Sequence, residues 1–310
     1  MSICFTFPGQ GSQKPGMGRE LADAYAQSRQ VFEEVDDALG EKLSTLIFEG
    51  PEEELTLTHN AQPALMAVSM AAIRAMESNG ITVAGNAAFV AGHSLGEYSA
   101  LAAAGTFTIA DAARLLRTRG LAMQRAVPVG EGAMAAILGL DIDAVAAIAA
   151  DAAGDEVCQT ANDNAPGQVV VSGSKAAVER AAALAGERGA QRAIMLPVSA
   201  PFHCALMAPA AEVMAEALAS VMVNAPAVPV VSNVLAGPIS DPDEIRKRLV
   251  EQVTGTVRWR ESVAWMAANG VDTLYEIGAG KVLTGLARRI DRSLAAKAVG
   301  TPDDISALLA

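Results

Sequence analysis

The stretch that indicates the fold most directly is Ala87-Ala88-Phe89-Val90-Ala91-Gly92-His93-Ser94-Leu95-Gly96. Its apolar first half predicts a strand, and a G-x-S-x-G pentapeptide after a strand is typical of a tight turn that presents a nucleophilic serine. The alanine-rich segment from Glu97 to Ala104 predicts the helix that follows. In this interpretation the Ser94 hydroxyl lies at a helix N-terminus, where backbone amides can stabilise an oxyanion. The alternative is a structural turn, because the pentapeptide also occurs by chance.

The composition predicts a globular cytoplasmic protein. The chain has 310 residues, of which 51% are hydrophobic and 19% charged, and this is enough for one large or two modest cores. No apolar stretch approaches the ~20 residues that span a bilayer, and the N-terminus lacks the features of a secretory signal. A formal net charge of -12 argues against non-specific nucleic-acid binding. The three cysteines lack the spacing of a disulfide framework or a zinc site, so we expect reduced thiols and no metal.

The order of predicted elements indicates an α/β fold with two parts. Four strand-like runs, at Ile3–Phe7, Ala87–Ala91, Val228–Ser232 and Asp272–Ile277, alternate with helical patterns and predict a mainly parallel sheet. Between them the pattern is strand, helix, strand, strand, helix, strand, at 134–140, 141–151, 157–161, 168–172, 174–188 and 192–198. This order is typical of a ferredoxin-like unit. We therefore predict such a subdomain at residues 128–199, inserted into a larger body made of residues 1–127 and 200–310, with a ligand cleft between them.

A serine nucleophile needs a base, and the chain offers His59, His93 and His203. His93 adjoins Ser94, and because neighbouring strand residues point to opposite faces, we expect it to be structural. His59 lies in a polar segment that predicts a surface loop. His203 lies where the inserted unit returns to the main body, so it can face the cleft as a base. The alternative for His203 is a cap on the helix that begins near Ala205.

Arg119 lies on the apolar face of a predicted helix. The helix runs from about Ile109 to Met123, starts with the capping box Thr108-Ile109-Ala110-Asp111, and carries one apolar stripe. Arg119 interrupts that stripe, and a buried guanidinium costs several kcal/mol unless an anion meets it. Its planar fork suits the carboxylate of a substrate. An internal salt bridge with Asp or Glu is the alternative.

The glycine-rich opening Phe7-Pro8-Gly9-Gln10-Gly11-Ser12-Gln13 follows a predicted strand. It has neither the Lys-Ser/Thr pair of a P-loop nor the G-x-G-x-x-G pattern of a dinucleotide site. Its glycines can instead bring backbone amides close to a reacting group. A structural turn remains the alternative for this segment alone.

Together these segments resemble one family, the malonyl-CoA:acyl carrier protein transacylases of fatty-acid synthesis. The resemblance runs from about residue 3 to residue 290. It is carried by Phe7–Gln13, Gly92–Tyr98, Arg119–Gln124, Asn164–Gln168, Phe202-His203 and Gly278–Leu283. It implies a large α/β-hydrolase-like subdomain with a ferredoxin-like insertion and an enzyme that forms a malonyl-serine intermediate. It also implies a cytoplasmic monomer whose partners are malonyl-CoA and acyl carrier protein, with no bound cofactor, membrane or nucleic acid.

The resemblance assigns roles to individual residues. Ser94 would be the nucleophile and His203 the general base and acid, oriented by the backbone carbonyl of Gln252. The backbone amides of Gln10 and Leu95 would form the oxyanion hole. Arg119 would bind the malonyl carboxylate, with Phe202, Met123 and Asn162 in the substrate site. Phe202 before the base resembles the pattern that selects malonyl over methylmalonyl; the alternative is core packing.

The carrier protein of this pathway is acidic, so a local basic patch is needed on a chain of net charge -12. Arg288 and Arg289 match family positions associated with carrier docking, and Lys281 and Arg292 are close in sequence. A solvated basic helix end is the alternative for each residue. Three other functions stay open: a transacylase serving a polyketide synthase or malonate decarboxylase carrier, a serine thioesterase or hydrolase, and a non-catalytic carrier-binding module.

Overall fold

The computed structural model describes residues 2–309, which form ten strands and fifteen α-helices. The strands are β1 (Ile3–Phe7), β2 (Phe89–Gly92), β3 (Gly132–Leu138), β4 (Cys158–Ala165), β5 (Gln168–Ser174), β6 (Arg192–Met195), β7 (Val230–Ser232), β8 (Gly237–Ile239), β9 (Thr273–Ile277) and β10 (Ala295–Val299). The first eight helices are α1 (Arg19–Ala24), α2 (Ala26–Leu39), α3 (Leu43–Glu49), α4 (Glu52–Thr56), α5 (Thr58–Ser78), α6 (Val83–Asn86), α7 (Leu95–Ala103) and α8 (Ile109–Ala126). The others are α9 (Ile142–Ala153), α10 (Lys175–Glu187), α11 (Ala208–Ala219), α12 (Pro242–Thr254), α13 (Trp259–Ala268), α14 (Val282–Ile290) and α15 (Pro302–Leu309), with a 3₁₀ turn at Ala205–Met207.

The larger sheet has the strand order β10-β9-β1-β2-β7-β8. The first five strands are parallel, and β8 pairs antiparallel with β7 at the edge. The predicted α/β class with a mainly parallel sheet is therefore confirmed. Helix α5 packs against α2, α7 and α8 and is buried on nearly every side, which explains its continuous apolar sequence. No helix within residues 2–309 is both long and apolar enough to cross a bilayer.

The smaller sheet is antiparallel, with the order β4-β5-β3-β6. Alternate residues of β3 and β5, such as Ile137 and Val171, pack under α9 and α10. The opposite face carries Met134 and Val170, which pack towards Phe202. Period-two alternation thus gives one face to the helices and the other to the larger body.

Two strand ends in the smaller sheet differ from the sequence prediction. The strand predicted to reach Val198 ends at Met195, because Pro197 has no amide hydrogen to continue the ladder. The strand predicted to end at Ala161 continues to Ala165 with two register shifts. Its extension is stabilised from outside the sheet: Asp163 N donates to Val257 O and Val257 N donates to Ala161 O, both at 2.9 Å.

An ion pair joins β4 to α13 beside these backbone bonds. The Asp163 carboxylate is 1% exposed, and Arg260 donates to it through Nε at 2.8 and 3.1 Å and approaches it through Nη2 at 2.8 Å. A buried carboxylate is costly without such a partner, so this contact couples the two sheets.

Arg260→Met should therefore destabilise the protein by about 2 kcal/mol, because it leaves the Asp163 carboxylate buried without its cation. Arg188→Met is the matched control: its pair with Asp151 is exposed on both sides, at 42% and 56%, and its loss should cost about 0.5 kcal/mol or less. Urea denaturation of both variants measures the difference. Equal, small changes would contradict a coupling role for Arg260.

Candidate active site

A cavity of about 380 Å³ lies where the carboxyl ends of β1 and β2 face the smaller sheet. Residues from distant parts of the sequence meet there. Its lining includes the predicted site residues Gln10, Ser94, Leu95, Arg119, Met123, Asn162, Phe202 and His203. A site at the carboxyl ends of parallel strands, at the junction of two layers, is common in α/β proteins.

The turn that carries Ser94 is set by two glycines. A Cβ at Gly92 would lie 1.9 Å from the carbonyl carbon and oxygen of Gly96, and a Cβ at Gly96 would lie 2.2 Å from the Phe7 carbonyl oxygen. Neither distance is sterically allowed, so the sharp turn between β2 and α7 requires glycine at both positions. Ser94 itself has φ 54° and ψ -109°, a strained conformation for a residue with a side chain. In this conformation Ser94 lines the cavity.

Ser94 and His203 form a hydrogen-bonded pair. The Ser94 Oγ and His203 Nε2 atoms are 2.8 Å apart, and His203 Nδ1 is 2.8 Å from the backbone oxygen of Gln252. Because a carbonyl only accepts, Nδ1 carries the hydrogen and Nε2 is free to accept the serine proton. His203 also has a positive φ, 59°. Both members of the pair are therefore held by backbone that few residues adopt.

The electrostatics around His203 favour its neutral form. The residue is 4% exposed. Its burial and the positive charge of Arg119 lower the pKa of His203 to about 3. The imidazole is thus neutral across the physiological pH range and able to take a proton.

Arg119 is 1% exposed and reaches the same cavity from α8. Its Nη2 donates to Ser94 Oγ at 3.1 Å and to Gln252 Oε1 at 2.8 Å, while Nη1 donates to Gln62 Oε1 at 2.8 Å. Its Nε has no hydrogen-bond partner in the described part of the chain, and its guanidinium lies 5.6 Å from the centre of the Tyr98 ring. Within residues 2–309 no carboxylate pairs with it directly, so the internal salt bridge weighed from the sequence does not form. The guanidinium is held by neutral groups and retains the capacity to bind an anion.

Gln10 and Leu95 both border the cavity. Neither backbone amide donates to a backbone or side-chain acceptor in the described part of the chain. The amide of Ser94, in contrast, donates to Asn233 Oδ1 at 2.7 Å and is not available. The Gln10 side chain donates to Thr58 Oγ1 at 3.3 Å, which anchors its loop.

Each of the other two histidines lies within hydrogen-bond distance of a side-chain amide. His93 Nε2 is 2.8 Å from Asn164 Oδ1 on β4, and its ring lies 5.8 Å from that of Trp259, so it links the two sheets. The surface-loop prediction for His59 is wrong. His59 is the second residue of α5, partly buried, with Nδ1 2.9 Å from Gln124 Oε1. The helix starts there because the Leu57 carbonyl accepts two amide hydrogens from the first turn.

The predicted docking residues lie outside the cavity, around α14. Lys281 precedes the helix, and Arg288 and Arg289 occupy its last turn; all three are exposed. Arg289 donates to Gln168 on β5. It also borders a shallow depression on the smaller sheet, and Leu196 lines both that depression and the Ser94 cavity. The structure thus brings Arg289 to the surface that leads to Ser94, whereas Gln252 lies behind the cavity wall.

Three buried polar residues at the site have no role in the sequence prediction: Gln62, Glu97 and Asn233. Asn233 Nδ2 donates to Gly92 O at 2.6 Å and so braces the turn, and Gln62 holds Arg119. Gln62 directly precedes the apolar run at 63–68, and Asn233 follows the strand at 230–232. A polar residue at the edge of an apolar run is the only signal the sequence offers for these two, and Glu97 has none. Within residues 2–309 no group of three or more His, Cys, Asp or Glu side chains is arranged to hold a metal ion.

Comparison with known proteins agrees with this geometry. Residues 4–300 match the family model of the acyl transferase domain. The malonyl CoA-acyl carrier protein transacylase of Escherichia coli K12 is 50% identical over 308 residues, covering 99% of this chain and 98% of the relative. The crystal structure of an acyl-carrier-protein-S-malonyltransferase from Bartonella henselae is 60% identical, with a TM-score of 0.98 over 100% of this chain and 98% of that one.

A further solved structure is a malonyl-transacylase in complex with its type II polyketide synthase acyl-carrier protein. It is 44% identical, with a TM-score of 0.96 over 100% of this chain and 99% of that one. These likenesses extend over nearly the whole of both chains in every case. The chain therefore belongs to the malonyl-CoA:acyl carrier protein transacylase family of acyl transferases.

Proposed function

We propose that this protein transfers the malonyl group of malonyl-CoA to the phosphopantetheine thiol of acyl carrier protein, and so supplies malonyl units for fatty-acid elongation. The observation that carries the proposal is the contact between Ser94 Oγ, His203 Nε2 and Arg119 Nη2, at 2.8 and 3.1 Å. This site brings together a nucleophile, a base and a buried cation that no carboxylate neutralises. Such a combination can bind and transfer an acyl group that ends in a carboxylate.

In the first half-reaction Ser94 Oγ attacks the thioester carbonyl while His203 Nε2 takes its proton. The amides of Gln10 and Leu95 stabilise the oxyanion, and Gln252 O stabilises the imidazolium through Nδ1. The tetrahedral intermediate then collapses: the carbon–sulfur bond breaks, and coenzyme A leaves with the proton from His203. A malonyl-serine ester remains, with its carboxylate on Arg119.

In the second half-reaction the carrier thiol enters the same cavity and the steps run in reverse. His203 takes the thiol proton, the sulfur attacks the ester, and the proton returns to Ser94. Two substrates that use one site in turn give ping-pong kinetics. No permanently bound cofactor is needed in this scheme, because coenzyme A enters and leaves as part of the substrate and product.

We propose that side chains lining the cavity determine which acyl group is accepted. Phe202, Met123 and Asn162 border the space next to Ser94, and Phe202 packs against apolar residues of both sheets. In this proposal Phe202 occupies the room that an α-methyl group would need and so favours malonyl over methylmalonyl. Arg119 also holds the malonyl ester in a pose that disfavours attack by water.

Carrier docking is proposed at Lys281, Arg288 and Arg289. These three cations are exposed at the two ends of α14, and Arg289 borders the depression that adjoins the Ser94 cavity. A local basic patch offsets the net charge of -12 towards an acidic partner. The polyketide carrier complex of a relative supports an acyl-carrier-protein acceptor in general. Since Arg119 and this patch have no purpose in a thioesterase, transfer explains the site better than hydrolysis.

The finer architecture is also part of the proposal. Residues 128–199 form a ferredoxin-like subdomain, inserted into an α/β-hydrolase-like body of residues 1–127 and 200–310. The strand order β4-β5-β3-β6 with two helices on one face supports this. We propose that the enzyme works as a cytoplasmic monomer.

Incubation with malonyl-CoA should add one malonyl group to Ser94. Intact-protein mass spectrometry measures the adduct, and peptide mapping locates it. Ser94→Ala should give no adduct. Rapid release of free malonate without a stable adduct would favour a hydrolase, and absence of any reaction in the parent protein would contradict an acyltransferase.

Arg119→Ala should slow malonyl labelling of Ser94 by about 100-fold, because the acyl carboxylate loses a buried, hydrogen-bonded cation. The control is Arg117→Ala, two residues earlier on α8, whose guanidinium pairs with Glu41 away from the cavity. Its labelling rate should change by about two-fold or less. The ratio of malonate release to transfer should rise in Arg119→Ala alone. Equal effects of the two substitutions would contradict the role of Arg119.

The acylation rate should be nearly constant between pH 5 and pH 8, because His203 stays neutral well below its ordinary pKa. A histidine with an unshifted pKa of about 6.5 would be about 30-fold less available as a base at pH 5. Rapid-quench labelling with malonyl-CoA at each pH measures this. An acid limb centred near pH 6.5 would show that His203 is not held neutral by its surroundings.

A further inference from the structure

Glu97 is a buried carboxyl group that the proposed reaction does not use. It is the third residue of α7, 1% exposed, and does not border the Ser94 cavity. Burying a carboxyl group is costly unless hydrogen bonds compensate for the water that it loses. Its contacts therefore call for an explanation.

Two hydrogen bonds converge on Glu97 Oε2. Gln252 Nε2 donates to it at 2.7 Å, and the backbone amide of Asn233 donates at 3.3 Å. Both donors come from residues that shape the active site. Asn233 accepts the Ser94 amide hydrogen, and Gln252 binds His203 through its backbone and Arg119 through its side chain.

The side-chain amide of Gln252 has one useful orientation. Its Nε2 faces three acceptors, Glu97 Oε2 at 2.7 Å, Ser94 O at 2.9 Å and, at a longer distance, Asn233 Oδ1 at 3.4 Å. Its Oε1 faces the Arg119 guanidinium at 2.8 Å. If the amide turned over, Nε2 would meet the donors of Arg119 and the contact would become repulsive. The acceptor on Glu97 makes the shortest of the contacts that hold Nε2 on this side.

We infer that Glu97 is a positioning residue that, through the side-chain amide of Gln252, holds Arg119 in the orientation that receives the acyl carboxylate. Glu97 acts on Arg119 indirectly, through Gln252, since no carboxylate contacts Arg119 directly within residues 2–309. An ionised carboxylate in direct contact with the guanidinium would compete with the substrate. A neutral amide between the two groups orients the cation without occupying its free edge.

This role depends on an acceptor atom more than on charge. Burial raises the pKa of Glu97 to about 7, while its hydrogen bonds and the charge of Arg119 act in the opposite direction. A carboxyl group protonated on Oε1 still accepts two bonds on Oε2. The Ser232 side chain is among the groups that lower this pKa. Glutamine fits the same requirements, whereas methionine has similar volume but provides no comparable acceptor.

The inference rests on the proposed function, and the experiment compares acyl groups with and without a carboxylate. The initial rates of Ser94 labelling by malonyl-CoA and by acetyl-CoA are measured by rapid quench and intact-protein mass spectrometry. Glu97→Gln should keep the malonyl-to-acetyl rate ratio within about three-fold of the parent, because the acceptor is retained. Glu97→Met should lower the ratio by about ten-fold or more, mainly through the malonyl rate.

Gln252→Met breaks the same link from the other side but keeps the backbone carbonyl that holds His203. It should lower the ratio as Glu97→Met does, and the double variant should be no worse than the more affected single variant, since both remove one pathway. If Glu97→Met does not fold, as judged by circular dichroism, Glu97→Ala takes its place in the cycle.

Several results would overturn the inference. One is an unchanged ratio in Glu97→Met; another is an equal fall of both rates, which would mean that Glu97 supports only the stability of the site. Equal losses in Glu97→Gln and Glu97→Met would show that charge, not the acceptor, is what matters. A parent protein that forms no malonyl-Ser94 would instead contradict the proposed function, so the two failures are distinguishable.

Discussion

The close approach of α7 to the ends of β1 and β2 is the constraint on which the site depends. No Cβ fits at Gly92 or Gly96, so the backbone of the helix start lies directly on the backbone of the strand ends. This contact brings the free amide of Leu95 beside the loop of Gln10 and forces Ser94 into its strained conformation. A bulkier residue at either glycine would separate the amides of Gln10 and Leu95 as well as move the Ser94 hydroxyl.

The site places the positive charge of Arg119 among neutral groups. Gln62, Gln252 and the Tyr98 ring contact the guanidinium of Arg119, and none of them neutralises it. That arrangement lowers the free energy of unfolding, because a buried cation without a neutralising partner is unfavourable. Together with burial, the same positive charge lowers the pKa of His203, so Arg119 helps to keep the imidazole unprotonated. The buried guanidinium thus lowers the stability of the fold and remains available to bind an anion.

The sequence predicts the parts of the molecule that follow from local chemistry. Arg119 in an apolar stripe, and Ser94 between two glycines, stand out because such residues are rare in such places, and the alternating strands of both sheets follow from short-range patterns. The role of Glu97 could not be predicted, since its partners Asn233 and Gln252 lie more than 130 residues away. The extension of β4 beyond Ala161 could not be predicted for the same reason. The polar run Asn162-Asp163-Asn164 is typical of a turn, and the contacts that stabilise it as a strand come from Val257 and Arg260, which are distant in sequence.

Strand β4 is fastened to the larger body by backbone bonds to Val257, by the Asp163–Arg260 pair and by the contact of Asn164 with His93. These contacts hold the smaller sheet to the larger body along β4 and oppose a movement that would separate the two. Since β4 also carries Asn162 in the lining of the Ser94 cavity, the same contacts fix one side of the cavity wall. Any widening of the cavity on this side requires breaking a buried ion pair and two backbone hydrogen bonds.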